Sequence, residues 1–451
     1  MVSEHTARAG LALAQRVLGY AEREGAGQAE VLVLGGEEQL TRFANSQIHQ
    51  NVAEMNTQIN LRFVIGRQVG VASTNRVDDD SLRRLAESAA AVARLQPEGD
   101  DFHRLPEAGQ LSLVSGAAAA STTAASPEQR ADGAAAVIAA ADEAGVTGYG
   151  SFKTVSERIA VANSLGIRAE EDRSHAHLIT VAMGPDGESG YAEAASVDVE
   201  AIDAQSVGRE AAAKARGSRG ARDLAPGEYP VVLEEYAVVD LLDMLGYLGF
   251  SALAVQEERS FFEPGKRIGS ELVSIWDDGA DPAGTPASFD YEGVAKQRVQ
   301  LVEGGACVDV VYDHQTAGKA GRRSTGHGLP APNPWGPFPL NQFMAGGEHS
   351  RDELIGGLER GLLVTRFHYT NPVHPKIAIV TGMTRDGLFL VEGGELRGPV
   401  RNLRFTQSYL DALAGVEAVG GSRKLLRGFL GSVVVPAVRI SAFTFTGATE
   451  H

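Results

Sequence analysis

The sequence predicts an α+β fold: an N-terminal α+β domain with a mostly antiparallel sheet, followed by a β-rich C-terminal domain. Three observations carry this expectation. Up to residue 222, helix-period patterns alternate with strand-like, period-two patterns. After about Glu271 strand patterns dominate, and Gly-Gly pairs at 304–305, 346–347, 393–394 and 420–421 mark turns. Between these regions, 217–230 is rich in Gly, Arg and Pro and marks a boundary, so the expected domains are 1–222 and 223–451. A length of 451 residues accommodates both at roughly 100–200 residues or more per domain.

The elements follow in order. Leu11, Ala14, Leu18 and Ala21 recur at three- and four-residue steps and predict a helix over about 5–24. Residues 29–34 read as a strand, with 39–43 as its neighbour across a turn at Gly35-Gly36-Glu37-Glu38. Residues 60–64 alternate polar and apolar, and Gly66-Arg67-Gln68 turns the chain into 69–72. Asp78-Asp79-Asp80-Ser81 supplies an N-cap and an acidic first turn for a helix of about 80–95. The Ala/Ser-rich stretch 115–126 predicts a flexible loop or linker. Ser126-Pro127-Glu128-Gln129 then caps a helix reaching about Ala144. Strands are predicted near 147–153, 156–162, 166–183 and 189–197, and a helix over about 201–216. The second half opens with a short strand at 229–233 and an apolar helix over about 234–248. Strand patterns lie at 272–276, 298–303, 308–312, 362–369, 377–383, 387–391, 399–407 and 432–446, with one further helix over about 350–361. No short-period repeat stands out.

Composition narrows the function. Acidic residues number 58 and basic ones 41, a net charge of −17. A polyanion of this size repels phosphate backbones and anionic lipid, so neither nucleic acid nor membrane is an expected partner. The single cysteine, Cys307, excludes an intramolecular disulfide framework and a Cys-rich zinc module, and reads as a buried structural thiol. No window approaches ~18–20 uninterrupted apolar residues. Glu4 and His5 occupy the place of a basic leader region, so no signal peptide is expected and the default setting is cytoplasmic.

Familiar catalytic signatures are missing. There is no P-loop, no Gly-x-Ser-x-Gly elbow, and none of the eleven histidines is followed by glutamate. The most polar compact segment is Arg322-Arg323-Ser324-Thr325-Gly326-His327-Gly328. Its glycines let backbone amides approach a ligand, and its arginines suit a carboxylate, which makes Arg322, Arg323, Ser324, Thr325 and His327 candidate substrate contacts. A nucleophilic Ser324 beside His327 is a weaker alternative, because sequence neighbours seldom make that geometry. His368 and His374 bracket 369–373, a predicted turn that brings both rings to one loop tip, and they complete the candidate set. His175 and His177 share a strand face but lack a third ligand, and read as a solvent-facing strand end. His349 precedes a helix start capped by Ser350, and Asp277-Asp278-Gly279 reads as a turn.

Several short pieces carry a family resemblance. They are Arg42-Phe43-Ala44-Asn45-Ser46-Gln47-Ile48 and Gly66-Arg67-Gln68-Val69-Gly70-Val71-Ala72-Ser73-Thr74-Asn75 in the first half. In the second half they are Arg259-Ser260-Phe261-Phe262, Gly265-Lys266-Arg267-Ile268-Gly269, Asp277-Asp278-Gly279, Ser324-Thr325-Gly326-His327-Gly328, Gly361-Leu362-Leu363-Val364-Thr365 and Gly398-Pro399-Val400-Arg401-Asn402-Leu403. In their order and spacing these resemble the TldD/PmbA family, and within it the PmbA (TldE) branch. The resemblance implies a metallopeptidase-like C-terminal domain and a dimer enclosing a cavity.

It also implies a role through what is missing. TldD-type members are zinc proteases with a His-Glu-x-x-x-His helix and a cysteine ligand near the C-terminus. The corresponding helix here reads Glu234-Glu235-Tyr236-Ala237-Val238-Val239-Asp240-Leu241-Leu242-Asp243-Met244-Leu245, without histidine, and Gly420-Gly421-Ser422-Arg423-Lys424 contains no cysteine. A catalytic zinc needs about three protein ligands. Asp240 and Asp243 share one helical face but make a poor zinc pair without imidazole or thiolate. The resemblance therefore implies no catalytic and no metal-binding residue in this chain, with zinc only in a TldD-type partner subunit. The implied substrate is an unfolded protein or peptide precursor, and the implied assembly a homo- or heterodimer. Two alternatives stay open: a self-sufficient peptidase acting as a homodimer, and a non-proteolytic peptide-binding or assembly module.

Overall fold

The computed structural model describes residues 10–99, 102 and 104–449. The 5–9 portion of the predicted first helix, Glu4, His5, His103 and His451 lie outside the described residues. The first half is one unit used twice. Helix α1 (Gly10–Arg23) leads into strands β1 (Gln28–Ala44), β2 (Gln47–Ile65) and β3 (Gln68–Thr74), then helix α2 (Asp79–Leu95). Helix α3 (Pro127–Glu143) leads into β4 (Thr147–Asn163), β5 (Arg168–Met183) and β6 (Ser189–Ser196), then α4 (Ala204–Gly217). The two meanders join through an antiparallel β1–β4 pair into one six-stranded sheet of order β3-β2-β1-β4-β5-β6.

The period of two assigns the faces. Val31, Val33, Ile59, Leu61 and Phe63 bury against α1 and α2, and Phe152, Ala176, Leu178 and Ala182 against α3 and α4. All four helices thus cover one face, each buried Val, Leu or Phe contributing roughly 1.5–3 kcal/mol. The outer strands sit hard against Ala-rich helices. A Cβ on Gly70 would stand 2.1 Å from the Ala89 carbonyl oxygen, and one on Gly190 2.1 Å from that of Ala211. The opposite face meets the second half of the chain: Leu32, Ile159 and Val161 pack with Phe289, and Ile179 and Val181 reach the large C-terminal core.

That second half is an eleven-stranded mixed sheet, whose shorter strands are β8 (Ile275–Asp277), β9 (Val299–Glu303), β10 (Ala306–Cys307), β11 (Asn341–Met344) and β14 (Glu395–Pro399). Strand β7 (Gly227–Leu233) pairs in parallel with β12 (Arg360–His374), which pairs with β13 (Ile379–Glu392), then β15 (Leu403–Ser408), then β17 (Ser432–Ala448). Since β17 also pairs with β7, these five strands close a ring, which removes their free edges. Helix α5 (Glu235–Leu248) follows β7 and is apolar nearly all round, with Val238, Leu241, Leu242 and Leu245 in the core. Strand β16 (Val416–Arg427) pairs with β17 beside it. Among the described residues no helix is long and apolar enough to cross a membrane.

Local signals were read well, breaks less so. Asp78, Ser126 and Ser350 each accept a helix-start N–H, as expected. The turn expected at 35–38 does not exist; β1 runs through it. Gly36 is there because a Cβ would meet the Ser156 carbonyl oxygen of β4 at 2.7 Å. The hairpin turn is Asn45-Ser46, both at positive φ. Likewise 147–163 is one strand, and so is 379–392 with a kink at Asp386 and Gly387. In place of a loop or linker, 115–126 carries the helical turn Ala120–Thr123, pinned by Thr122 Oγ1 donating to the Val197 carbonyl at 2.7 Å. Residues 308–312 follow the short strand Ala306–Cys307 and are not a strand themselves. The helix expected over 350–361 ends at Gly356. Helix Tyr409–Ala414 and β16 carried no signal that sequence reading picked up. Cys307 is buried, and burial pushes its thiol up.

Candidate functional site

The helix-free face of the first sheet and the α5/β16 edge of the second half enclose a polar cleft. Along β5, Arg173, His175 and His177 project into it because even-numbered neighbours are taken by the helices. Strand β4 adds Glu157, and β6 adds Tyr191 and Glu193. From across the cleft, α5 presents Tyr236, Asp240 and Asp243 at steps of four and three, one helical face. Strand β16 adds Lys424 and Arg427.

Aromatic and charged contacts knit the two walls. The Tyr191 and Tyr236 rings meet edge to face at 5.2 Å. Tyr191 donates its hydroxyl to Glu193 at 2.9 Å, and the same carboxylate meets His177 Nε2 at 2.9 Å. Tyr236 donates to Glu210 at 3.0 Å, which also receives Lys214 and Lys424. Lys214 bridges on to Glu234 at the start of α5, 2.7 Å away. Asp240 accepts hydrogen bonds from Tyr409 at 2.6 Å and from Thr370. Burial raises its carboxyl to about 6 despite both donors. Asp243 accepts the Phe429 N–H at 2.7 Å; burial, reinforced by Asp240, raises it to about 7.

Deeper in, a cavity of about 110 Å³ lies between the halves, lined by Glu157, His175, Lys296, Asn341 and Arg427 among others. Burial holds His175 down at about 3, so the imidazole is neutral. Burial raises the Glu157 carboxyl and lowers the Arg427 guanidinium.

Family models match this architecture piece by piece. The PmbA/TldA metallopeptidase domain 1 matches 29–93, the central domain 120–219, and the C-terminal domain 226–447. The chain belongs to the PmbA/TldD metallopeptidase family. It is 28% identical over 240 residues to a protein named Metalloprotease from Methanothermobacter thermautotrophicus, a match covering 52% of each chain. It is 25% identical over 214 residues to a zinc metalloprotease TldD homolog of Saccharolobus solfataricus, covering 45% of this chain and 46% of that one. The matched region thus spans about half the length of these curated relatives. In fold the chain is similar to TldE from Thermococcus kodakarensis: TM-score 0.87 at 19% identity, covering 96% of this chain and all of the other.

A PmbA/TldD metallopeptidase raises the question of zinc, and the residues here do not fit it. The carboxylates that helix α5 presents to the cleft are Asp240 and Asp243, and both already accept hydrogen bonds from the fold. The nearest cleft imidazoles, His175 and His177, stand on the opposite wall, the latter against Glu193. Among the described residues no group of three His, Cys, Asp or Glu side chains is placed to hold a metal ion.

The structure distributes the sequence-predicted contacts over separate places. Arg322 is exposed, paired with Asp309 at 2.5 Å and stacked over Tyr312 at 4.6 Å. Arg323 is exposed beside it. Ser324 donates to the Tyr312 carbonyl, not to His327. Thr325 Oγ1 lies 2.9 Å from His327 Nδ1, and His327 Nε2 lies 2.8 Å from Asp277, with His327 and Asp277 at 0% exposure. Burial and the Lys296 charge hold His327 neutral. Burial opposes ionisation of Asp277, but Lys296 and His327 outweigh it and keep the carboxyl low. The natural proton arrangement is Thr325 O–H to Nδ1 and Nε2–H to the Asp277 carboxylate. This run of hydrogen bonds resembles a nucleophile relay, but His327 and Asp277 are fully buried and Ser324 is not part of it, so it braces the loop.

His368 and His374 are not brought together. The expected turn at 369–373 is absent because β12 continues to His374, and the two pair with Met383 and Ile379 of β13. Their β13 partners lie four positions apart, which sets the two histidines roughly 13 Å apart along the strand. His175 and His177, read as solvent-facing, instead face the second half. Sequence reasoning missed Glu157, Glu193, Lys296 and Arg427. For the first two the available signal was strand alternation, which puts them on the helix-free face; for Lys296 and Arg427 there was none.

Proposed function

We propose that this chain is a PmbA/TldE-like, non-zinc subunit of a TldD/TldE-type metalloprotease that acts on unfolded proteins or peptide precursors beside a TldD-type zinc subunit. The observation carrying this is helix α5. It stands where the family resemblance places the zinc helix, and its two cleft-facing acids are engaged by Tyr409, Thr370 and Phe429. Carboxylates alone, already hydrogen-bonded, form a poor zinc site. The chain contributes a wall of the proteolytic chamber, and the partner contributes the hydrolytic metal. Of the candidate substrate contacts, Arg322, Arg323 and His374 are exposed and His368 is half-buried; Thr325 and His327 act through the shape of their loop.

Co-expression with a TldD-type chain tests the reading. The two are expected to co-purify and to cleave an unfolded protein in a chelator-sensitive reaction, while this chain alone is inert. Hydrolysis by the pure chain at the rate of the pair would instead make it a self-sufficient peptidase. A pair no faster than the partner alone would make it a non-proteolytic module.

A further inference from the structure

The cleft holds one buried cation, Lys296, and one half-buried cation, Arg427, whose side-chain donors are not used. Lys296 has a side chain only 3% exposed, and its Nζ makes no hydrogen bond. Its nearest carboxylate oxygen, Asp277 Oδ1 at 3.6 Å, already receives His327 Nε2, and Asp277 Oδ2 receives the Asn341 N–H at 2.7 Å. Arg427 lines the same cavity and has no hydrogen bond or ion pair within 4 Å among the described residues. Arg173, the third cation there, is satisfied by Glu171 and the Phe289 carbonyl.

Asp277 supplies Lys296 with a counter-charge, and Glu157, Glu193 and Asp243 act on Arg427 from a distance, but no carboxylate of the cavity fills these donors. Asp290 spends its oxygens on the N–H groups of Gly328, Val294 and Glu292, and burial with the neighbouring Glu292 charge pushes its carboxyl well above the usual carboxylate range. Glu157 makes no hydrogen bond or ion pair and is pushed toward its protonated form. A buried cation without an acceptor is costly, and the forked guanidinium matches the two oxygens of a carboxylate. The space of about 110 Å³ admits a carboxylate with its first carbons. At its rim, Leu430 lines the cavity and the adjacent Phe429, 66% exposed, stacks on Trp335 at 6.2 Å, giving an apolar shelf for a side chain.

We propose that this interdomain cavity binds the carboxylate of a peptide through Arg427 and Lys296, with the Phe429–Trp335 shelf receiving a neighbouring apolar side chain. That the carrier is a peptide rests on the proposed role above; the carboxylate preference rests on the cavity alone. The group comes either from a peptide's C-terminal end or from an acidic side chain.

Calorimetric titration of the pure full chain separates these sources. Three versions of one unstructured peptide are compared: a C-terminal acid, its C-terminal amide, and the amide with one internal glutamate. The acid is expected to bind about tenfold or more tighter than the amide. A gain restored by the internal glutamate alone assigns the site to side-chain carboxylates instead. Arg427→Gln and Lys296→Met are expected to erase the preference, with thermal melting confirming that each variant is folded. Equal binding of all three peptides to the wild type, or no binding of any, overturns the proposal without requiring any variant to fold. A preference that survives in folded Arg427→Gln and Lys296→Met also overturns it. Loss of the carboxylate preference leaves co-purification and cleavage untouched, so the two readings fail separately.

Discussion

Asp243 on α5 gives the sharpest quantitative expectation. Burial raises its carboxyl from 3.8 to about 7. The sign follows from linkage: the unfolded chain releases this proton near pH 4, while the folded chain keeps it until about pH 7. Raising the pH through that window therefore favours the unfolded state. A shift of about three units at ~1.4 kcal/mol each makes the full penalty roughly 4 kcal/mol, of which about 1.5–2 is present at pH 5 and nearly all at pH 8. Asp243→Asn removes the titration, and the amide oxygen still accepts the Phe429 N–H. The variant should gain on the wild type by roughly 2–3 kcal/mol between pH 5 and pH 8, a few degrees in melting temperature. Side-by-side melting at pH 5, 6, 7 and 8 reads the difference directly and cancels the titrating groups that do not interact with Asp243. A melting difference that stays constant with pH, or that shrinks as pH rises, would refute the burial argument.

Other expectations are simpler. Asp277→Ala strips the acceptor from His327 and Asn341 and the counter-charge from Lys296 at once, and should destabilise by about 3–5 kcal/mol in a denaturant titration; a loss under 1 kcal/mol would mean the buried hydrogen-bond chain does not brace the 322–328 loop. Gly190→Ala places a methyl 2.1 Å from the Ala211 carbonyl oxygen and 2.3 Å from the Ala215 nitrogen, so α4 must lift from β6. The expected loss is about 1–3 kcal/mol or more, seen as early melting, and a neutral result would contradict the tight strand–helix seat. Arg322→Ala breaks an exposed pair with Asp309 and should change stability by no more than about 1 kcal/mol; a larger change in melting would show that the loop depends on it.

What the sequence revealed and what it hid divide along range. Caps at Asp78, Ser126 and Ser350 act over three residues, so they are readable from the chain alone. Strand continuity is not: Gly35-Gly36 looks like a turn until β4 is seen pressing on it. The doubling of the helix–meander–helix unit is a property of backbone topology and leaves no residue period. The ring closure depends on β7 meeting β17, some two hundred residues on. The site divides the same way. The missing zinc ligands of α5 are visible in the letters, while the engagement of Asp240 by Thr370 and Tyr409, 130 and 169 residues away, belongs to the fold. Histidines drew notice by type, yet the cleft is built as much by Glu157, Glu193 and Arg427, residues that mean little until two walls face each other.

Metal analysis bears most directly on the central claim. The chain, purified alone and again in complex with a TldD-type subunit, would be measured for zinc per polypeptide. The account predicts none bound to this chain alone, and in the complex one zinc for each partner subunit. Stoichiometric zinc on the isolated chain, retained through dialysis, would contradict it.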